Sequence, residues 1–552
     1  MTSAATDTSD LPCTMPALLR RQAAVHGDRV FMVVDDERLT YAEAESRSRV
    51  LARGLLASGV TKGTHVALLQ PNGADFVVGM LAAMRIGAVL VPLSTFSTAE
   101  ELRWLLANSD SSFLLAAAAY RSRRYDEALA TALPELDFSK PPPVRSLTAP
   151  WLRRIWFSGA PQSPPPGGPR HPGWSVADLE ASAAAVDDAT LSAVEQRVSP
   201  ADRLIIIHTS GSTSTPKAVI HTHGALIGHY DDINRLRGSD MNEIMYAPSP
   251  WFWVAGFSAM FGAFIAGGRM VSSNAVAASD VLDVLERERP TNTVGFWSMV
   301  ERLAADPSFA RRDLSSIRRG NLYPVMAREV QPRDMDLRHG NYGSSEAGGT
   351  LTFSGDESDQ PESRRGSFGK LTPGLEARIV DPETGKVCGA GELGELWVRG
   401  PRFMEGYYGK PRHEVFDADG WWHSGDLGCF DADGFFYFRA RRGDMIKTSG
   451  ANVAPREVEA VLRAITGGLP CFVLGVPDPQ RGQLVTALIV SNREADVDEA
   501  ALRKKLGEKL STYKVPRRII RLAEAELPLL SNGKVDMRRL AALAKERVAA
   551  EV

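Results

Sequence analysis

The stretch HTSGSTSTPKAVIHTHG, residues 208–224, follows the apolar run LIII and gathers hydroxyls, two glycines, a proline and a lysine. It has the make-up of a phosphate loop without the common pattern G-x-x-x-x-G-K-[ST]. Gly211 is followed by Ser212, Thr213, Ser214, Thr215 and Pro216 before Lys217 is reached. Hydroxyl and backbone N–H groups donate to phosphate oxygens, Lys217 adds positive charge, and Pro216 holds Thr215 extended. The bland alternative is an exposed Ser/Thr turn.

Around this loop, strand and helix patterns alternate. FMVVDD (31–36), HVALLQ (65–70) and AVLVPL (88–93) read as strands. YAEAESRSRVLARGLLASG (41–59) has apolar residues at helical spacing and ends at Gly59, placed as a C-cap. Such alternation predicts an α/β fold with helices on the faces of its sheets. Residues 140–175, interrupted by KPPPV and PQSPPPGGPRHPG, read as a surface loop or extended connector rather than a core element. From 376 to 440 the pattern becomes EARIVD, GELWVRG and FFYFRAR between Gly/Asp turns, a smaller β-rich subdomain. Beyond about 444 follow a helix around REVEAVLRAI, strands CFVLGVPD and LVTALIVS, a helix AALRKKLGEKLS and a basic helical tail.

Composition narrows the class. At roughly 100–200 residues per domain, the 552 residues suggest two to four units. The net charge of −3 gives no global attraction to nucleic acid, and no nucleic-acid partner is expected. Cys13, Cys388, Cys429 and Cys471 lie far apart with no C-x-x-C pair. That argues against zinc or a disulfide framework, fits a reducing compartment and leads us to expect a cytoplasmic protein. The N-terminus MTSAATDTSD lacks the features of a signal peptide. The uncharged stretch WFWVAGFSAMFGAFIAGG (251–268) approaches the length of about 20 apolar residues that spans a bilayer. Pro248 and Pro250 precede it and Gly256, Gly262, Gly267 and Gly268 punctuate it. It therefore reads as a buried helix beside a pocket, and no transmembrane segment is expected.

Four further stretches carry chemistry. In N-Y-G-S-S-E (341–346), Glu346 offers the oxygen ligand that suits Mg²⁺, and Tyr342 an aromatic face for a base. In W-W-H-S-G-D-L (421–427), Asp426 on a tight Gly turn can accept from the two vicinal hydroxyls of a ribose, or simply form an Asx turn. R-A-R-R-G-D-M-I-K-T-S-G-A-N-V-A-P-R-E-V-E (439–459) places basic residues beside Gly443 and Asp444, with a helix starting near Pro455. L-S-N-G-K-V-D (530–536) leaves Lys534 on a Gly turn. Each alone has an ordinary structural reading as turn, linker or solvated surface.

Taken together and in this order, the set resembles the adenylate-forming superfamily of acyl-CoA synthetases, adenylation enzymes and beetle luciferases. Thr209 to Ala218 follow that family's T-S-G-[ST]-T-G-x-P-K-G, and residues 342–346 its Y-G-x-[ST]-E. Ser424–Asp426 follow T-G-D, Arg441–Lys447 follow R-x-x-D-x-I-K, and Gly533–Lys534 the terminal G-K. The resemblance covers nearly the whole chain except residues 120–200. S-G-A-N-V-A-P-R-E-V-E and P-x-F-W-V-x-G look most like fatty-acyl or other hydrophobic-acid CoA ligases.

The resemblance implies a large N-terminal AMP-binding domain over residues 1–442, its β-rich subdomain at about 376–440, and a small mobile α+β C-terminal lid domain over 443–552. It implies two half-reactions: attack of a carboxylate on ATP with loss of pyrophosphate, then transfer of the acyl group to CoA. ATP, Mg²⁺ and CoA are the implied cofactors and fatty acid metabolism the implied setting. A carrier-protein thiol or another nucleophile is the alternative acceptor, and a homodimer is an admissible assembly. Thr209, Ser210, Gly211, Ser212, Thr213 and Lys217 would hold the β- and γ-phosphates, and Glu346 the metal. Tyr342 would lie near adenine, Ser345 near the α-phosphate, and Asp426 and Arg441 on the ribose, with Gly343 a further ATP/AMP-binding residue. Lys534 would bridge α-phosphate and substrate carboxylate. Gly443 would be the hinge, where Asp or Lys is frequent, and Lys447 and Gly450 would face the pantetheine tunnel, with Arg442 and Arg456 candidates for the 3′-phosphate. Ser214, Ala218 and Ser424 depart from the family pattern, as does His208; His221 and His223 read as structural.

Residues 247–279 contain one charged residue, Arg269, and no carboxylate. An α-ammonium buried there would lack a partner, at a cost of several kcal/mol, so an α-amino acid is not the expected substrate. Trp251, Phe252, Trp253, Phe257, Phe296 and Trp297 could line an apolar slot or pack as ordinary core; Trp253 stands where many relatives carry a histidine.

Overall fold

The computed structural model describes residues 11–159, 170–209, 216–295, 302–448, 451–493, 498–510, 513–530 and 533–550. Contacts divide the chain into two compact units: Met1–Glu376 with Arg399–Gly420, and Ala377–Val398 with Trp421–Val552.

The first unit is built on two sheets. One has seven strands in the order Gly406–Tyr407, Lys217–Thr222, Arg203–Thr209, Val89–Pro92, His65–Leu69, Phe113–Ala117, Arg154–Ser158. The last five run parallel, whereas Lys217–Thr222 runs antiparallel to both of its neighbours. His65–Leu69, Val89–Pro92 and Phe113–Ala117 are buried at every position, as expected of parallel strands covered on both faces. The second sheet has six strands in the order Arg319–Gly320, Asn292–Thr293, Ile244–Tyr246, Arg269–Ser272, Val30–Val34, Glu37–Thr40. The helix Ala74–Arg85 is buried at every residue but Asp75. Apolar on all sides, it can be stable only inside the protein. It belongs to one core that takes Val66, Leu68 and Leu90 from the first sheet and Phe31, Met32 and Met270 from the second. Its last residue, Arg85, is also buried. The guanidinium reaches Glu195 at 2.6 Å and Glu45 at 3.0 Å, and Ser48 at 3.0 Å completes its shell.

The helix expected at 41–59 spans Tyr41–Ala57. Thr40 and Glu43 cap it reciprocally, and Gly59 follows the C-cap Ser58 with a φ of 89°. The uncharged 251–268 stretch forms the thirteen-residue helix Val254–Ala266, stopped by Gly267 at φ 75°. Among the described residues no helix is long and apolar enough to cross a membrane. The reading of 140–175 as loop requires correction. Arg154–Ser158 is an edge strand parallel to Phe113–Ala117, and Ile155, Trp156 and Phe157 are buried. Its apolar triplet lies between two proline-rich runs, which mask so short a strand.

The second unit holds a four-stranded sheet, in the order Glu376–Val380, Gly394–Arg399, Trp422–Phe430, Phe436–Arg441, whose last three strands pair antiparallel. It also holds a five-stranded sheet. There Gly482–Val490 pairs with Cys471–Asp478 and Ile446–Thr448 on antiparallel ladders and with Arg518–Leu522 on a parallel one. Helices Pro455–Thr466 and Glu499–Gly507 cover one core of this sheet, and Met537–Ala550 another.

Candidate functional site

In the first unit the hydroxyl loop begins where the strand Arg203–Thr209 ends. Its base is closed by the cross-strand pair Thr209 and Lys217. Ser210, Gly211, Ser212 and Thr213 lie outside the described residues. The returning strand Lys217–Thr222 carries Lys217 at its start and His221 near its end, and pairs with Gly406–Tyr407 so that Val219 faces Tyr407. The Lys217 ammonium stands 5.1 Å above the Tyr407 ring. The Tyr407 hydroxyl donates to Glu346 Oε1 at 2.7 Å.

Glu346 lies in a turn that is fastened from several sides. His221 Nε2 is 2.7 Å from the Ser345 carbonyl. The Met404 amide donates to the Glu346 carbonyl at 3.0 Å, and Tyr230 donates to that of Gly348. The Gly349 amide bonds back to Ser344 at 2.9 Å. A Cβ on Gly343 would stand 1.5 Å from the Gly349 carbonyl oxygen, so the turn closes only with glycine there. Glu346 is 8% exposed. Among the described residues no cation forms an ion pair with it. Tyr342, half-buried, exchanges backbone hydrogen bonds with Thr352 and meets Phe368 edge-on at 6.2 Å.

In the second unit, Asp426 and Arg441 are direct cross-strand partners, and Arg441 Nε donates to Asp426 Oδ1 at 2.7 Å. The tight turn expected at Asp426 is instead the interior of the strand Trp422–Phe430, bent at Gly425 with φ 72°. Paired strands on either side hold that bend open, so local turn chemistry does not decide it. Glu395 braces the bend: one oxygen accepts from the Gly425 amide at 2.9 Å, the other from Arg442 at 3.4 Å. Burial pushes the Asp444 carboxyl up while Arg441 pulls it down. Gly443 has open space around its Cβ direction and no positive φ. Lys447 is exposed, its amide held by Gln483 at 2.7 Å. Arg456 lies over Phe438 at 5.2 Å, and Lys534 is exposed. Gly450 lies outside the described residues.

Two sequence families match this chain: AMP-binding enzyme over residues 19–408 and AMP-binding enzyme C-terminal domain over 457–534. The chain belongs to the AMP-binding enzyme family. This AMP-binding enzyme is 32% identical over 508 residues to a feruloyl-CoA synthase of Amycolatopsis sp, covering 90% of this chain and 92% of the relative. It is 27% identical to the long-chain-fatty-acid–CoA ligase FadD13 of Mycobacterium tuberculosis, covering 93% and 95%. Its fold matches the anthranilate CoA ligase AuaEII with a TM-score of 0.76 over 99% of this chain and 100% of that one, at 23% identity. It matches the amide bond synthetase McbA of Marinactinospora thermotolerans with a TM-score of 0.75, over 96% and 99%, at 25% identity. The mixed α/β fold, with a large N-terminal and a small C-terminal domain, is thus that of the adenylate-forming superfamily, close to acyl-CoA ligases.

The AMP-binding enzyme carries four histidines of its first unit as neutral rings. Burial lowers His208, His221 and His223 to a pKa of about 4 and His229 to about 3. His223 accepts the Met15 amide at the start of an N-terminal helix, a structural task. His221 is tied to the Glu346 turn through the Ser345 carbonyl. The expected aromatic slot narrows. Trp251 and Phe257 expose nothing: Trp251 meets Phe76 edge-on at 5.7 Å and Phe257 stacks on Phe261 at 5.2 Å. Consecutive aromatics at a helix start cannot all face one side, and these two fill the core. Trp253 remains half-buried against Phe96 at 5.5 Å and the nearly buried Phe252 at 5.1 Å. Phe296 and Trp297 lie outside the described residues.

Sequence reading named neither Tyr407, which touches Lys217 and Glu346, nor Glu395, which braces Gly425 and Arg442; His221, read as structural, holds the Glu346 turn through the Ser345 carbonyl. Tyr407 lies 190 positions after Lys217 in the chain, and only strand pairing brings them together. A cleft of about 580 Å³ at the start of strands Phe113–Ala117 and Arg154–Ser158, lined by Arg145, Arg153 and Arg154, contains none of the motif residues.

Proposed function

We propose that this chain uses ATP to convert a hydrophobic carboxylic acid into its acyl-adenylate, releasing pyrophosphate, and then transfers the acyl group to CoA as a thioester. The single observation that carries the reading is the setting of Glu346. A buried carboxylate without a cationic partner is costly unless something charged completes it. Here it stands one tyrosine away from Lys217, at the base of a hydroxyl loop.

The donor set fits Mg²⁺, a hard cation that takes oxygen ligands and keeps several waters when it bridges substrate phosphates. Glu346 would hold it. Bound there, the metal would neutralise phosphate charge. Lys217 and the loop Thr209–Thr213 would hold the β- and γ-phosphates, so that the chain's part in phosphoryl chemistry is positioning and charge neutralisation. Ser345 would lie at the α-phosphate and Tyr342 at the adenine. Asp426, with Arg441 beside it, would accept from the ribose hydroxyls. Lys534 would offset the charge shared by α-phosphate and carboxylate, and Gly443 would serve as hinge between the half-reactions. Trp253 would form the wall of the acid pocket. The lack of a carboxylate in residues 247–279 supports an acid without an α-ammonium.

The test is a pyrophosphate-release screen over fatty, aryl and amino acids, run with and without CoA. Hydrophobic acids should release pyrophosphate, and CoA should yield the thioester. If an adenylate forms but CoA gives no thioester, the acceptor is a carrier-protein thiol or another nucleophile. If no acid supports release, the reading fails.

A further inference from the structure

We propose that Tyr407 is a positioning residue that holds Lys217 and Glu346 apart and oriented, one for phosphate and the other for the divalent cation. This rests on the reading above. A lysine and a carboxylate so close to a common neighbour would ordinarily close into an ion pair, satisfying both charges and leaving neither for a ligand. Tyr407 intervenes with two different chemistries. Its hydroxyl donates to Glu346 Oε1 at 2.7 Å, fixing the carboxylate without neutralising it. Its ring face attracts the Lys217 ammonium, 5.1 Å from the centroid, without consuming an N–H donor.

The tyrosine itself has little freedom. It is 7% exposed, and Val219, two residues after Lys217, is its cross-strand partner. The next residue, Tyr408, donates its amide to Ala218 at 2.8 Å and its hydroxyl to Asp110 at 2.6 Å. The Met404 amide reaches the Glu346 backbone from the other side. The segment Met404–Tyr408 therefore fastens the lysine strand and the carboxylate turn to one another, and Tyr407 sets the distance between their charges.

The experiment separates the two contacts. Tyr407→Phe keeps the ring and removes the hydroxyl; Tyr407→Leu removes both. Manganese binding is followed by electron paramagnetic resonance with a non-hydrolysable ATP analogue, and metal-free binding of the same analogue by calorimetry. Tyr407→Phe should weaken manganese about tenfold, the scale of a hydrogen bond lost to a charged group, and leave metal-free nucleotide affinity unchanged. Tyr407→Leu should weaken manganese at least as much and also lower metal-free affinity by about threefold, the scale of a lost cation–π contact. Thermal unfolding confirms that each variant is folded. If either is not, Tyr407→Trp, which keeps an aromatic face and lacks the phenol, carries the expectation of Tyr407→Phe. Glu346→Gln is the control. If it leaves manganese binding intact, the assignment of the metal to Glu346 fails. If it weakens binding while Tyr407→Phe does not, the role of Tyr407 is overturned. In the Glu346→Gln background, Tyr407→Phe should have no further effect on manganese; an additive loss would also overturn the proposal.

Discussion

Gly343→Ala tests whether the Glu346 turn is the working part of this molecule. The added methyl would stand 1.5 Å from the Gly349 carbonyl oxygen, whereas ordinary contact begins at 3.4 Å, so one backbone segment must retreat by about 2 Å. Neither is free to do so. The Gly349 amide is bonded to Ser344 at 2.9 Å and the Leu351 amide to Tyr342 at 2.9 Å. The retreat would pull the Ser345–Glu346 peptide off His221 and Met404. Overpacking of this kind costs about 1–3 kcal/mol of stability, and a site displaced by about 1 Å loses on the order of 100-fold in rate. Urea unfolding and carboxylate-dependent pyrophosphate release measure the two effects separately. Gly507→Ala is the control, because its Cβ would meet nothing within 4 Å and its φ is not positive. It should be neutral or slightly stabilising. A Gly343→Ala enzyme with full stability and activity within about twofold of the parent would refute the reasoning, because a loss of about 100-fold is expected from displacement of this size.

Arg85→Met should destabilise the first unit by about 3–5 kcal/mol, because Glu195 and Glu45 lose a buried cation; a urea midpoint unchanged from the parent would show the network to be dispensable. Stability should fall as pH drops from 6.5 toward about 4, the window between the ordinary histidine value and those of His208, His221 and His223. There the unfolded chain takes up protons that the buried rings refuse, at about 1.4 kcal/mol per pH unit for each ring; above that window these rings add no pH dependence. His229→Leu should make the decline shallower, and an unchanged slope in urea titrations would count against the burial argument. Trp253→Ala should move the acid preference toward bulkier acids, read as the ratio of kcat/KM between a long and a short acid; an unmoved ratio would place Trp253 outside the pocket.

The parts legible in sequence were those whose signals are local. The parallel strands around residues 31, 65 and 88 are short apolar runs, the helix at Tyr41 shows its apolar spacing within one contiguous window, and each motif is a contiguous string. What escaped depends on partners distant in the chain. Trp422–Phe430 looks like a Gly-Asp turn until Gly394–Arg399 and Phe436–Arg441 flank it. Arg154–Ser158 looks like a connector until Phe113–Ala117 takes it as the sheet edge. Among the aromatics, Trp251, Phe252 and Trp253 are indistinguishable by type, and only the start of the helix Val254–Ala266 decides which faces the core. Tyr407 carries no motif; its meaning comes from Val219 and Glu346.

The pairing of Gly406–Tyr407 with Lys217–Thr222 also has a consequence for how the protein is made. The first unit is not a continuous stretch of chain: its seven-stranded sheet is finished by residues translated almost two hundred positions after the strand they cover. Until Arg399–Gly420 leaves the ribosome, Lys217–Thr222 is an edge strand with unpaired backbone groups and four positions that are buried in the finished fold, Ala218, Val219, Ile220 and His221. Such an edge invites pairing with another chain. A chain cut at Glu376 should therefore be recovered as aggregate, and one ending after Gly420 should be markedly more soluble.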